Sequence, residues 1–181
     1  MAAVALGQDH TIAVTKTGAV YTWGSNQHGQ LGYTLEPAAN KEVVQKVPRK
    51  ITTLKRIDIL GVAASSLHSV CFSEEDLFTW GLNRGQLGYS SGDEGPIQSI
   101  PKKVATLPAP VEMVTAIDRA TICLLKNKVV LIFANGGYFR VSFVPIIVWL
   151  MLASLSIGSR ITLLAFPCPA SSVPVKCTPQ T

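Results

Sequence analysis

The sequence predicts an all-β fold, an incomplete β-propeller of about three blades, followed by an atypical hydrophobic C-terminal segment that is open to a helical reading. Three observations carry this prediction. The phrase from His10 to Tyr33 is spelled again, with small deletions, from His68 to Tyr89. Apolar residues within both copies alternate with a period of two, and no helical period runs through them. After Gly137 the pattern stops and the composition changes. Small sheets that recur at intervals of about fifty residues can hide their apolar faces only against one another, which is the logic of propeller blades.

The first unit is placed at residues 1–59. Its stretches "TIAVT" and "AVYTW" combine β-branched and aromatic residues with alternation, so they read as short strands joined by a tight hairpin. In "YTWGSNQHGQLGY", Gly24, Gly29 and Gly32 suit sharp turns and close backbone approach. Asn26 and Gln30 can satisfy backbone groups in those turns. Trp23 offers a large packing surface between blades and an N–H that needs a partner. The following "ANKEVVQKVPRKITTLKR" holds six Lys/Arg, which reads as a solvated loop around a strand centred on "VPRKI" rather than as a patch for an acidic partner.

The second unit, residues 60–113, repeats the parts in order. "HSVCF" and "DLFTW" are strands, and Trp80, Gly81, Asn83, Gly85, Gln86 and Gly88 stand where Trp23, Gly24, Asn26, Gly29, Gln30 and Gly32 stand in the first. Its insertion, "SSGDEGPIQSIPKKV", is acidic at the tip, so equivalent loops carry opposite charge. The third unit, residues 114–139, is decayed: Phe133 takes the Trp position, Asn135 follows, the His has become Ala120, and the Gly-Gln-Leu-Gly phrase is missing. Cys71 and Cys123 lie three residues after His68 and Ala120, as Ala13 lies three after His10 in the first unit, so they read as small inward packing groups.

These units resemble the regulator of chromosome condensation repeat family, whose members show a His-Thr/Ser start, a Trp-Gly-x-Asn centre and Gly-Gln-Leu-Gly before a variable loop. The match covers residues 3–137, two copies strongly and the third weakly. It implies a seven-bladed propeller of four-stranded blades. The wording of "AVYTWGSNQHGQLGY" and "AIDRATICLL" further resembles a subgroup in which such repeats accompany ankyrin and BTB modules, neither of which is visible here. Seven units would need roughly 400 residues, so three cannot close a ring. The expectation is therefore a fragment, a truncated product, or a gene model that departs from its true reading near residue 140.

The tail divides into a hydrophobic segment at 140–160 and a Pro/Ser-rich end at 161–181. From Val141 to Ser159 no charge interrupts the chain. As a helix this stretch would reach about 28 Å, close to the hydrocarbon thickness of a bilayer. Three readings are open: a C-terminal membrane anchor, a buried continuation of the sheet, or unselected sequence.

Charge gives little direction. Residues 1–118 carry ten Lys/Arg against all eleven acids, and the net +5 arises from six Lys/Arg in the acid-free remainder. No nucleic-acid partner is expected. The four cysteines lack metal-binding spacing, and "FANGGYF" has neither a phosphate-loop nor a dinucleotide pattern, so no metal or cofactor is expected. His10 and His68 occupy equivalent positions in two units, which favours a structural hydrogen-bonding role over catalysis. The start "MAAVALGQDH" has no basic n-region, which points away from a secretory leader and towards the cytoplasm or nucleus, with a membrane-anchored form as the alternative. The functional expectation is a non-enzymatic scaffold or adaptor that binds protein partners through propeller loops. The family's founding member supplies a second expectation, guanine-nucleotide exchange on a small GTPase.

Overall fold

The computed structural model describes residues 2–37, 43–90, 95–105 and 107–142, and these form three four-stranded antiparallel sheets with no helix among them. Sheet 1 contains β1 (Ala3–Leu6), β2 (His10–Val14), β3 (Val20–Ser25) and β4 (Val44–Lys50). Sheet 2 contains β5 (Gly61–Ala64), β6 (His68–Phe72), β7 (Leu77–Leu82) and β8 (Ile97–Lys103). Sheet 3 contains β9 (Val111–Ile117), β10 (Ala120–Leu125), β11 (Val129–Ala134) and β12 (Gly137–Ser142). Each sheet is a meander in chain order, and β5 lies against both β1 and β9. The first strands thus form the inner side of the array.

Alternation decides which face is buried. Ile12, Val14 and Val20 of sheet 1 meet Cys71, Phe78 and Trp80 of sheet 2 in one apolar cluster, with Ile51, Leu54 and Ile59 closing it below. Val70, Phe72 and Leu77, on the opposite face of sheet 2, meet Cys123, Leu131 and Phe133 of sheet 3 in a second cluster. Sheet 2 is therefore apolar on both faces, and every residue of β6 is buried. Cys71 and Cys123 are free thiols inside these layers, as the alignment with Ala13 implied.

The register of sheets 1 and 2 is bent at the same place. A shift falls between Thr22 and Gly24, and another between Thr79 and Gly81. Gly24 (φ 107°) and Gly81 (φ 113°) adopt backbone that side chains rarely tolerate. A Cβ at Gly81 would also run into the Leu67 carbonyl and the His68 Cα.

Sheet 3 departs from the expectation at its end. The pattern does not stop at Gly137: Gly137–Ser142 is a fourth strand paired along β11. Asn135 (φ 53°) and Gly136 (φ 82°) form a two-residue connection between the paired residues Ala134 and Gly137. Positive φ at both positions is what a type I′ hairpin requires, and its twist matches that of the flanking strands. The third unit thus completes its sheet with a tight hairpin instead of the long loop that carries Gly-Gln-Leu-Gly in the other two. A boundary after residue 139 cuts through this strand, and Val141, the first residue of the candidate span, belongs to it. The rest of that span, to Ser159, lies outside the described residues, as does the Pro/Ser-rich end; among the described residues no helix is long and apolar enough to cross a membrane.

Candidate functional site

The repeated residues gather into two kinds of place, turns inside a blade and junctions between blades. In the first turn, Asn26 accepts a hydrogen bond from the Leu31 N–H (2.9 Å) and donates to the Tyr33 carbonyl (2.8 Å). Asn83 likewise accepts from the Gly85 N–H (2.9 Å) and donates to the Tyr89 carbonyl (2.9 Å). Gln30 Oε1 accepts from the His28 N–H at 2.9 Å, and Gln86 Oε1 from the Arg84 N–H at 2.6 Å. Thr22 and Thr79 each donate to the Leu carbonyl of the same phrase at 2.7 Å. Side chains thus hold a loop whose backbone would otherwise leave polar groups unpaired in a buried setting.

The first junction centres on the Gln30 carbonyl. It accepts from Trp80 Nε1 (2.9 Å) and from Ser69 Oγ (2.8 Å), both in sheet 2. His10 Nε2 lies 2.8 Å from the same Ser69 oxygen. Since the serine proton is directed at Gln30, His10 must donate, so its Nε2 carries the proton. Its Nδ1 is then an acceptor, and it has no partner among the described residues. The reason is Gly7: the corresponding residue in the second unit, Ser65, places its hydroxyl 2.6 Å from His68 Nδ1. At the second junction His68 Nε2 meets Thr121 Oγ1 at 2.9 Å, and the phenyl ring of Phe133 replaces the indole. Gly32 lies under Trp80, and Gly88 under Phe133. The expected stacking of blades through an aromatic ring is therefore observed at Trp80 and Phe133.

Trp23 does not make the contact expected of it. It is only partly buried, because no described sheet lies on its side of sheet 1.

These environments hold the ionisable groups neutral. Burial lowers the pKa of both His10 and His68 to about 4, with neighbouring Asp9 and Asp118 respectively opposing it. Burial pushes the Cys71 thiol up and that of Cys123 up to about 12. None of these groups is an exposed base or nucleophile. The acids Glu74 and Asp76 stand at the β6–β7 hairpin and pair with Lys126 (3.4 Å) and Lys103 (2.6 Å) at the surface. Among the described residues no three His, Cys, Asp or Glu side chains gather into a metal-binding group.

The outer rim of the blades carries exposed apolar side chains. Strands β4 and β8 are the last of their sheets, and both expose apolar side chains: Val44 and Val47 on one, Ile97 and Ile100 on the other. Basic residues lie beside them, Arg49 over the Tyr33 ring at 4.5 Å and Lys102 over the Tyr89 ring at 4.6 Å. Reading the two insertions only for charge missed this likeness. Its signal stands in the chain: "VQKVPRK" and "IQSIPKK" share apolar-Gln-x-apolar-Pro-basic-Lys. Proline is acceptable there because edge strands leave N–H positions unpaired.

Comparison with known proteins agrees with this architecture. Models of the regulator of chromosome condensation (RCC1) repeat match residues 17–72 and 1–30. The BTB/POZ domain-containing protein 1 of Schizosaccharomyces pombe is 37% identical over 140 residues, 77% of this chain and 10% of that protein. The inhibitor of Bruton tyrosine kinase of Xenopus laevis is 38% identical over 125 residues, 67% of this chain and 9% of that protein. The chain therefore spans about a tenth of the length of these relatives. Among solved structures, human WBSCR16 superposes with a TM-score of 0.63 at 23% identity, over 73% of this chain and 32% of that one. The Prp20p structure from Saccharomyces cerevisiae gives 0.64 at 19% identity, over 80% of this chain and 39% of the other.

Proposed function

Because this chain carries repeats of the regulator of chromosome condensation family, we propose that it is a non-catalytic scaffold that binds a protein partner through its loops and outer rim, in the cytoplasm or nucleus. The observation that carries this reading is where the chemistry lies. His10, His68, Cys71 and Cys123 are buried and held neutral, while β4 and β8 expose equivalent apolar and basic side chains to solvent. Exposed apolar residues flanked by cations suit a partner surface with an apolar centre and an acidic rim.

The test uses the full chain, immobilised, with Val47→Asp and Ile100→Asp combined in a second version. Both side chains face solvent, so stability should change by no more than about 0.5 kcal/mol each. The expected result is a protein retained by the original chain and lost at least tenfold by the variant at an equal melting temperature. Equal retention by both would overturn the rim as the binding surface. Adding a purified small GTPase with labelled guanine nucleotide separates scaffold from exchange factor, and carbonate extraction of cell membranes separates a free chain from an anchored one.

A further inference from the structure

Two stretches of the chain spell a hydroxyl beside like charges, the arrangement by which protein kinases choose a residue. In "RKIT", Arg49 and Lys50 stand at the third and second positions before Thr52. In "SEED", three acids follow Ser73 directly. Spelling does not separate the two, since a kinase groove of either sign selects its substrate by complementary charge. The fold does.

Ser73 is 8% exposed, its Oγ accepts from the Asp76 N–H at 3.1 Å, and its own N–H donates to the Asp76 carbonyl at 2.9 Å. The hydroxyl is thus folded into the hairpin it begins, and Asp76 is paired with Lys103. Thr52 is the opposite case. It is exposed, as are Arg49, Lys50 and Thr53. The two cations end β4, the last strand of sheet 1, so they stand on an extended edge. The chain then turns, with the Lys55 N–H donating to the Thr52 carbonyl and the Ile57 N–H to the Leu54 carbonyl, both at 3.1 Å. Ile51 and Leu54, on either side of the two threonines, are buried in the layer between sheets 1 and 2. Core anchors therefore hold a turn that leaves both threonines outside. Lys50, Lys55 and Arg56 make no ion pair among the described residues, so their charge is available to a carboxylate-lined groove.

This exposure does not depend on what precedes the first unit. Sheet 2 has a sheet on each side, and its equivalents of Arg49, Lys50 and Thr52, namely Lys102, Lys103 and Ala105, are exposed as well. That unit has no hydroxyl at the position, since Ala105 replaces it. Between Thr52 and Thr53 the next residue decides. A kinase must also accommodate the residue after its target; Thr53 is free to enter, whereas Leu54 belongs to the core.

We infer that Thr52 is a phosphorylation site for a protein kinase that selects basic residues at the second and third positions before its target. The Thr52 oxygen attacks the γ-phosphorus of ATP, the new O–P bond forms as the bond to ADP breaks, and the hydroxyl proton passes to the kinase's catalytic base. The product places roughly two negative charges in a turn that holds Lys55 and Arg56 and follows Lys50. The site stands whether or not the rim binds a partner, since Val47 and Ile100 lie on β4 and β8 and Thr52 on the connector after β4.

The test incubates the folded full chain with ATP and the purified catalytic subunit of such a kinase, and in parallel with a kinase that selects acidic residues after serine; mass spectrometry maps the phosphate. Thr52 should be modified at least tenfold faster than Thr53, and Arg49→Ala combined with Lys50→Ala should slow it at least tenfold at an equal melting temperature. Lys50→Ala alone, at a side chain exposed to solvent, should slow it in the same direction. Ser73 should be modified in a peptide of residues 68–80 and not in the full chain. No phosphate at Thr52, an equal rate in the double variant, or full-rate transfer to Thr53 in Thr52→Ala overturns the inference. Modification of Ser73 in the full chain as fast as in the peptide also overturns it, because the kinases would then be reading unfolded chain.

Discussion

Trp80 and Trp23 are the same letter in the same phrase and have different consequences. Trp80 is fully buried and donates to the Gln30 carbonyl, so Trp80→Ala should cost about 3–5 kcal/mol, from lost packing and a carbonyl deprived of one donor. Trp23→Ala should cost about 1 kcal/mol or less, because its ring already meets solvent. Urea unfolding of the two variants checks the contrast, and equal losses would mean that sheet 1 is covered. The buried histidines predict a pH dependence. Their folded pKa values lie near 4, below the unfolded value of 6.5, so the unfolded chain binds protons first as pH falls. Stability from this source is full above pH 6.5 and declines towards pH 4, by about 1 kcal/mol per histidine at pH 5.5 and about 3 kcal/mol at pH 4. Denaturant midpoints that stay level from pH 7 to pH 4.5 would show that water reaches both rings. The structural part of these residues was legible, since repetition at equivalent positions argues against a reactive centre. Their partners were not, because Ser69 and Gln30 meet His10 only when two sheets are stacked.

At the level of strands and turns, two glycines with positive φ should respond differently. Gly81→Ala must bear both strained backbone and collision with the Leu67 carbonyl and His68 Cα, and should cost more than about 2 kcal/mol. Gly136→Ala meets open space and bears only the backbone term, about 1 kcal/mol. Thermal unfolding of both distinguishes contact from conformation. Strands β2, β3, β6, β7, β10 and β11 could be read directly from alternation and from the repeat. Strand β12 could have been read too, since Asn-Gly between alternating apolar residues is a strong hairpin signal. It was obscured by the search for Gly-Gln-Leu-Gly, a different way of ending a unit. Strand β4 was legible around "VPRKI", whereas its counterpart β8 was hidden by a preceding loop of unlike charge.

Across the whole molecule, stability resides in two layers between three sheets, and the thiols report on them. Cys71 lies in the first layer and Cys123 in the second, both with raised pKa values. Neither should react with a thiol reagent faster than its layer opens, and peptide mapping of the labelled sites should show Cys123 and Cys71 reacting at rates that fall on stabilisation by salt or sucrose. Rapid labelling of either in native buffer would mean that its layer is not closed. The surface ion pairs at Lys103, Lys126 and Lys128 add little, as their lysine ends remain exposed to screening solvent.

Local spelling by itself determined that the described chain is made of repeated antiparallel units, where their central strands run, and that its glycines, aromatics and amides serve turns and packing. These depend on neighbours within a few residues or on comparison of one unit with the next. Only the tertiary structure decided that Trp80 is enclosed while Trp23 is open, and that His10 donates across a junction with one nitrogen unpaired among the described residues. Such differences arise because identical side chains acquire their burial and hydrogen bonds from the sheet that lies against them, and a linear repeat does not say which face has a neighbour.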